Sequence, residues 1–410
     1  MTRIFAKLIT ALALTFGTAH LLQAQEFETQ ATAAYVLDQS TGTVLLAKNA
    51  DEPLPPASMS KLMTLYMAFE AVADGRLLID QKLPVSEHAM SYEGSSMFLN
   101  TTDRVSVEDL LRGVVVLSGN DASTVLAEAL APDGTESGFA RMMTDRARQL
   151  GMTNSTFMNA NGWPAAGQRM TMRDLGTLAD HIITDFPTFY PMFAETEFLF
   201  DGRVPSNSQN RNPILEMGLG ADGLKTGHTQ EAGYGLVGSA KQGDRRIIFV
   251  ITGLTSAEAR AQESERIVNW AFRQFALRDV GRAGLRVAQA EVWMGEQATV
   301  GLTLAEDAAL LVPALTQNTI DAEIIYTSPV SAPVIAGQQI GELVIRPEGL
   351  PVARFALIAE NDVGTGGFSV RLRTAAMVLL ARFGPASATR SAEPAAIPAA
   401  GAAAAPEGGA

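Results

Sequence analysis

The chain contains no cysteine among its 410 residues. Disulfides, thiolate nucleophiles and cysteine-ligated metals are therefore excluded. Histidine is scarce, with four residues and no HExxH pattern, so we expect no metal site and no cofactor. Basic residues are also outnumbered, since the chain has 31 Lys and Arg and 44 Asp and Glu, which gives a formal net charge of −13. Nucleic acid is thus an unfavourable partner, since phosphate binding needs clustered cations.

Long hydrophobic runs are missing apart from a short one near the N-terminus. Residues 1–24 begin with Arg3 and Lys7 and continue with an apolar run over about residues 8–16, which is too short to span a bilayer. Ala24 follows at a plausible cleavage position. This layout is typical of a secretory signal peptide, and a retained membrane anchor is the alternative. We expect an exported protein in the periplasm or another extracytoplasmic space.

The first large region, residues 30–278, alternates strand and helix patterns. The stretch "AAYVLDQSTGTVLLAKN" predicts a β-hairpin, and residues 232–254 predict two more strands around a Gly-Asp turn. Strands before and after a helical middle favour an α+β domain on an antiparallel sheet. Helices are expected at 106–131, 136–150, 171–184 and 259–276.

The chain changes character after about residue 280. Residues 280–364 are short alternating segments interrupted by Gly and Pro, which predict a small all-β domain. Catalytic side chains do not cluster in this region, so we expect it to act as a spacer or a partner-binding surface.

Residues 366–383 predict an amphipathic helix. Phe368 and Leu372 belong to its apolar face, while Arg371 and Arg373 lie off that face. A basic amphipathic helix can lie in a membrane interface, and the alternative is a helix packed back on the domain. The remaining residues, 384–410, are rich in Ala, Pro and Gly and predict a disordered tail.

The stretch "PPASMSKLMT" places Ser58 and Lys61 three residues apart, on the same side of any helix they share. Its flanks are apolar nearly all round, which indicates a buried helix. A buried lysine must be paired or must lose its proton more easily than in water, and a neutral lysine can take a proton from a serine hydroxyl. Ser-x-x-Lys alone is weak, because about one chance match is expected in a chain of this length.

Two later stretches add weight. "LSGNDAS" supplies Ser118 and Asn120 on either side of a glycine, and "GLKTGHT" supplies Lys225, Thr226 and Gly227. A cation and a hydroxyl at the second stretch could receive a substrate carboxylate, and the glycine would let a ligand approach the backbone. Taken alone, the first stretch is a common helix cap and the second a common turn before a strand.

In combination, Ser-x-x-Lys, Ser-x-Asn and Lys-Thr-Gly resemble the penicillin-binding proteins and serine β-lactamases. The sequence around the motifs is similar to that of the D-alanyl-D-alanine carboxypeptidases among the low-molecular-mass penicillin-binding proteins, over roughly residues 30–383. The resemblance implies an antiparallel sheet with helices on both sides, then a small all-β domain and a C-terminal amphipathic helix. One departure is Trp163 after Gly162, where family members often carry leucine.

The resemblance also implies roles for individual residues. Ser58 would attack the carbonyl of the terminal D-Ala–D-Ala bond, Lys61 would accept its proton, and Ser118 would relay a proton to the departing D-alanine. The backbone N–H groups of Ser58 and His228 would form the oxyanion hole. The implied catalytic set is Ser58, Lys61, Ser118 and Asn120, and the implied substrate-binding set is Lys225, Thr226, Gly227, His228 and Arg260.

The implied partners are peptidoglycan stem peptides and β-lactams, together with the outer face of the cytoplasmic membrane through residues 368–383. Three alternatives stay open at this point. The same site could cleave cross-links as a DD-endopeptidase. It could hydrolyse β-lactams, although the chain has no E-x-x-L-N segment like that of class A β-lactamases. It could also belong to a non-catalytic cell-wall or shape protein.

Overall fold

The computed structural model of the protein describes residues 27–314 and 321–368, together with positions 370, 372 and 376. The predicted signal peptide (1–24), the predicted tail (384–410) and most of the predicted helix 366–383 lie outside the described residues. Across the part that the structure describes, no helix is long and apolar enough to cross a membrane.

The first region contains seven strands in the described residues: β1 Ala33–Asp38, β2 Thr43–Lys48, β3 Lys82–Pro84, β4 Arg104–Ser106, β5 Ala221–Thr229, β6 Gly233–Gln242 and β7 Arg245–Leu254. Five of them form an antiparallel sheet in the order β2-β1-β7-β6-β5. Both predicted hairpins are confirmed, since β1 pairs with β2 and β6 pairs with β7. The strand β5 lies at one edge of this sheet, and a separate pair, β3 and β4, lies outside it.

Seven helices accompany these strands in the described residues: α1 Lys61–Ala73, α2 Glu87–Met90, α3 Val107–Val115, α4 Asn120–Leu130, α5 Glu136–Gln149, α6 Met172–Asp185 and α7 Ala257–Gln274. The helices predicted at 136–150, 171–184 and 259–276 are confirmed. The single helix predicted over 106–131 is wrong, because the chain breaks between α3 and α4. Ser118 lies in this break with a φ of +61°, a left-handed conformation that a continuing α-helix cannot contain.

The sheet buries both of its faces against helices, as the resemblance implied. On one face, Tyr35 and Val237 belong to a core shared with α1, α3, α4, α5 and α6. On the other face, Val36 and Phe249 pack with Ile267 of α7. Successive strand residues point to opposite faces, so neighbouring residues such as Tyr35 and Val36 enter different cores.

The central helix α1 is buried on almost every side, as its composition predicted. Ten of its thirteen residues are buried, including Phe69 and Lys61. A fully buried Leu or Phe contributes roughly 1.5–3 kcal/mol. The apolar residues of α1 therefore offset the cost of carrying one lysine into the interior.

The second region is all-β, as expected. A six-stranded sheet has the order β12-β14-β15-β10-β9-β13, and β8 pairs with β11. Leu302, Leu343 and Leu357 are among the residues of its separate hydrophobic core. Its strands are β8 Phe275–Gly281, β9 Arg286–Trp293, β10 Thr299–Leu304, β11 Ala308–Pro313, β12 Asp321–Tyr326, β13 Val330–Ser331, β14 Gln339–Arg346 and β15 Ala353–Ala359.

Candidate active site

Ser58 lies in a short 3₁₀ turn, Ala57–Ser60, that leads directly into α1. The turn begins with Ala57 at a φ of +48°, and Ser58 is partly exposed while Met59 and Ser60 are buried. The expectation of one regular helix shared by serine and lysine is therefore corrected, since the α-helix begins only at Lys61. The Lys61 Nζ and Ser58 Oγ atoms nevertheless lie 2.8 Å apart.

The amine of Lys61 has two further partners. Its Nζ donates to the Asn120 side-chain oxygen at 2.7 Å and to the Asn161 backbone carbonyl at 2.5 Å. A neutral amine has two N–H bonds and one lone pair. With both N–H groups committed to these acceptors, the lone pair is left for the Ser58 hydroxyl, which can then donate its proton to nitrogen.

The electrostatic surroundings favour this neutral form. Lys61 is fully buried, and the loss of hydration, assisted by the positive charge of Arg211, lowers its pKa from 10.5 to about 7. Asp121 and Glu136 act in the opposite direction and keep the pKa from falling further. Lys61 is thus suited to act as a base near neutral pH.

Ser118 and Lys225 form a second buried pair. The Lys225 Nζ donates to the Ser118 Oγ at 2.9 Å, and both residues are nearly inaccessible. Burial and the neighbouring charge of Lys61 lower the pKa of Lys225 well below the ordinary range of lysine. Lys225 therefore lies behind the cleft surface, in contact with Ser118. We expected it to line the cleft and receive the substrate carboxylate directly, and it does not line the cleft.

Asn120 is held at the N-terminus of α4 by contacts with a neighbouring loop. Its side-chain amide donates to the Glu93 carbonyl at 2.7 Å, which fixes the orientation of the amide and leaves its oxygen for Lys61. The next residue, Asp121, accepts hydrogen bonds from the backbone N–H groups of Met97 and Leu99. The loop and the start of α4 are therefore locked together.

The edge strand β5 forms one wall of the site. Thr226, Gly227 and His228 line the cleft, and the His228 ring stacks on Tyr234 at 3.9 Å between ring centroids. Gly227 has a second role beside the one predicted from the sequence. A Cβ at this position would lie 2.9 Å from Met59 Cγ and 3.0 Å from the Pro56 carbonyl oxygen, so the glycine makes room for the turn that carries the serine as well as facing the cleft.

The loop after α5 closes the site from another side. Gly162 has a φ of +78°, and a Cβ there would overlap the Ala57 carbonyl oxygen, so only glycine allows this loop to contact the Ser58 turn. Trp163 is 40% exposed and packs edge-on against Tyr92 at 6.1 Å between ring centroids. The departure noted in the sequence therefore adds an aromatic surface to the cleft.

These elements enclose a cleft of about 620 Å³. Arg260 lines it, as predicted, and its Nη2 donates to the Arg211 carbonyl at 3.2 Å. Arg211 lines it too and was missed, because it lies in an irregular segment whose sequence carries no motif. Its guanidinium donates to Ser95 Oγ at 2.5 Å and to the Leu117 carbonyl at 2.8 Å.

The structure brings all nine predicted site residues to this one location, seven at the cleft surface and two, Lys61 and Lys225, buried directly behind it. The result is a partly exposed serine hydroxyl, two lysines of lowered pKa and two arginines facing the same space. Such a site can form an ester with an acyl group and hold an anionic ligand beside it.

Comparison with known proteins agrees with this geometry. Residues 20–256 match the D-alanyl-D-alanine carboxypeptidase family, peptidase S11, and residues 275–365 match the penicillin-binding protein 5 C-terminal domain. The D-alanyl-D-alanine carboxypeptidase DacC of Escherichia coli is 36% identical over 346 residues, which cover 82% of this chain and 85% of that protein.

Solved structures are similar as well. Penicillin-binding protein 5 from Haemophilus influenzae has a TM-score of 0.73 and 33% identity, and the match covers 82% of this chain and 99% of that chain. Penicillin-binding protein D2 from Listeria monocytogenes in its ampicillin-bound form has a TM-score of 0.53 and 32% identity, covering 62% of this chain and 99% of that chain.

Proposed function

The chain belongs to the D-alanyl-D-alanine carboxypeptidase family, and from this premise we propose that it is a serine-type carboxypeptidase that removes the terminal D-alanine of peptidoglycan stem peptides through an acyl-enzyme on Ser58. The observation that carries this proposal is the 2.8 Å contact between Ser58 Oγ and the Nζ of Lys61, whose pKa is lowered to about 7.

Acylation begins when the Ser58 oxygen attacks the carbonyl carbon of the D-Ala–D-Ala bond and its proton passes to Lys61. The developing oxyanion is received by the backbone N–H groups of Ser58 and His228, whose residues line the same cleft. The carbon–nitrogen bond then breaks. Ser118, which is bonded to Lys225, relays the proton from Lys61 to the leaving D-alanine amine. Lys61 is then neutral again, and the peptide remains as an ester on Ser58.

The terminal carboxylate of the substrate is held by the cationic wall of the cleft. Arg260 and Arg211 both line the cleft and lie next to each other, and Thr226 adds a hydroxyl. An arginine can bind a carboxylate through two parallel hydrogen bonds, which fixes the position of the scissile bond as well as its charge. Lys225 contributes through its hydrogen bond to Ser118.

Water then releases the shortened peptide from Ser58, with Lys61 again accepting a proton. A β-lactam presents a strained amide to the same serine, and ring opening would leave a slowly hydrolysed ester there. The ampicillin-bound form of the Listeria relative supports this extension.

The protein acts outside the cytoplasm, attached to the outer face of the cytoplasmic membrane. Support for export comes from the signal-like residues 1–24. Support for attachment comes from the basic amphipathic pattern of 368–383 and from Phe368 and Leu372, which are 81% and 61% exposed.

The experiment that tests this function is D-alanine release from a short peptide ending in Lys-D-Ala-D-Ala, with the Ser58→Ala variant as control. Release by the wild type and none by the variant is the expected result. A cross-linked dimeric peptide is assayed in parallel. Cleavage of the dimer without D-alanine release would show that the protein is an endopeptidase and not a carboxypeptidase. A wild type that cleaves neither substrate would refute the proposal.

A further inference from the structure

The buried carboxylate of Glu136, on α5, lies beside the catalytic groups and has no role in the mechanism described above. Its side chain is 6% exposed and it has no lysine or arginine within salt-bridge distance in the part of the chain described. A buried carboxylate is costly unless its oxygens are well supplied with hydrogen-bond donors, so its contacts indicate what it stabilises.

Two donors to Glu136 belong to the loop that touches Lys61. Its Oε1 accepts from the Ala160 backbone N–H at 2.9 Å and from the Asn161 side-chain amide at 3.3 Å. The Asn161 backbone carbonyl, which accepts from Lys61 Nζ, lies between these contacts and the Ser58 turn. Since this loop segment is neither helix nor strand, its order comes from individual contacts, and Glu136 supplies two of them.

The second oxygen of Glu136 connects the loop to the opposite wall of the cleft. Its Oε2 accepts from the Tyr92 hydroxyl at 2.7 Å and lies 2.8 Å from His88 Nε2. Tyr92 in turn packs against Trp163. One carboxylate therefore ties α5, the Asn161 loop and the segment after α2 into a single unit around the base.

The direction of the Lys61 lone pair depends on this unit. Lys61 points its lone pair at Ser58 only if both N–H acceptors, the Asn120 side chain and the Asn161 carbonyl, stay in place. Asn120 is held by α4 and by Glu93. The Asn161 carbonyl belongs to a loop that Glu136 helps to hold, through the Ala160 N–H and the Asn161 side chain.

From these contacts we infer that Glu136 is a positioning residue for acylation, which helps to hold the Asn161 carbonyl against Lys61. This inference rests on the proposed function of Ser58 and Lys61 and adds a residue to it. Glu136 reaches the reacting atoms only through Asn161 and Lys61.

The charge contribution can be separated from the positional one. The groups that act electrostatically on Lys61 are Arg211 from its loop, Asp121 from α4, Lys225 from β5 and Glu136 from α5. Glu136 opposes the lowering of the Lys61 pKa by burial, so removing its charge makes Lys61 a weaker base that loses its proton at lower pH.

The test measures the rate of Ser58 acylation by a fluorescent penicillin from pH 5.5 to 8.5 in the full chain. We expect the acidic limb of the Glu136→Gln profile to move to lower pH, because glutamine keeps an acceptor for the Ala160 N–H but carries no charge. The ratio of variant to wild-type rates should therefore be larger at pH 5.5 than at pH 8.5. Glu136→Ala, which frees the loop, should slow acylation at every pH, by up to roughly 10²-fold.

Two variants serve as controls. Glu128→Gln removes a neighbouring glutamate that is bonded to Ser86 and does not contact the loop, and it should leave the profile unchanged. His88→Asn tests whether the imidazole beside Glu136 causes the fall in acylation rate at acidic pH. We expect that fall to persist in the variant.

Superimposable wild-type and Glu136→Gln profiles, together with wild-type acylation by Glu136→Ala, would overturn the inference. Failure of the proposed function looks different, since wild-type labelling would then survive Ser58→Ala. If Glu136→Ala does not fold, as judged by thermal unfolding, the glutamine variant alone decides the matter.

Discussion

The most quantitative prediction concerns the pH dependence of acylation. Lys61 must be neutral to accept the Ser58 proton, and burial lowers its pKa from 10.5 to about 7. Protonation of Lys61 should therefore switch acylation off as the pH falls through about 7, and the rate should reach a plateau above it.

The magnitude follows from the same pKa. At pH 7 about half of the Lys61 side chains are neutral, whereas an ordinary lysine with a pKa near 10.4 would be neutral in about one molecule in 2,500. Burial thus raises the amount of free base roughly 10³-fold. Between pH 7 and pH 5 the neutral fraction falls from about one half to about 1%, so acylation should slow about fifty-fold.

The assay is the second-order rate constant for labelling by a fluorescent penicillin between pH 5 and pH 9 at constant ionic strength. The ligand carboxylate stays ionised over this range, so a limb near 7 reports on the protein. Lys61→Ala should lower the plateau roughly 10²–10⁴-fold and abolish the limb. A limb that survives in Lys61→Ala, or a wild-type rate that stays level from pH 5 to pH 9, would refute the assignment of Lys61 as the base.

Three further outcomes are expected. Gly162→Ala should lose both thermal stability and penicillin labelling, because its Cβ would overlap the Ser58 turn. The control Gly134→Ala, with a φ of +67° and open space around the new Cβ, should lose only about 1–2 kcal/mol of folding free energy and keep its labelling. Equal losses in the two variants would contradict the packing argument. Asp38→Ala should lower the free energy of unfolding by about 3–5 kcal/mol, measured by denaturant titration, because it leaves the buried guanidinium of Arg245 unpaired. A loss under 1 kcal/mol would show that this pair is not structurally important. Deleting residues 368–410 should abolish sedimentation with lipid vesicles while labelling continues, and unchanged sedimentation would exclude this segment as the anchor.

The residues to which we assign a direct role in the reaction were predictable because their motifs are local in sequence. Ser58 and Lys61 are three residues apart, and any helical turn brings their side chains together. Ser118 and Asn120 likewise flank one glycine. Read as a set, these motifs carry the resemblance to the penicillin-binding proteins, and that resemblance implied the reaction.

The residues that support this set were not predictable, because their partners are distant in sequence. Glu136 lies 25 residues before Asn161, and Arg211 lies 94 residues after Leu117. Only the folded chain brings these groups together, and neither has a pattern that distinguishes it from an ordinary surface charge. Their positions give them importance, since Glu136 is buried and Arg211 lines the cleft. A single sequence does not reveal where a charged residue lies in the fold.

Backbone conformation was the other weak point of the prediction. The apolar pattern over 106–131 predicted one helix, but the chain adopts a left-handed conformation at Ser118 and starts a new helix at Asn120. Helical periodicity continues across the break, so the hydrophobic pattern does not register it. The break brings both the serine and the asparagine to the cleft, whereas a continuous helix would place them about 200° apart, on nearly opposite faces.

The most direct test of the account is to locate the acyl group. The full chain is incubated with penicillin, and its intact mass and peptide map are measured for the wild type and for Ser58→Ala. We expect one added ring-opened penicillin, found on the peptide that contains Ser58, and no addition in the variant. A covalent adduct on any other residue, or an adduct that persists in Ser58→Ala, would contradict it.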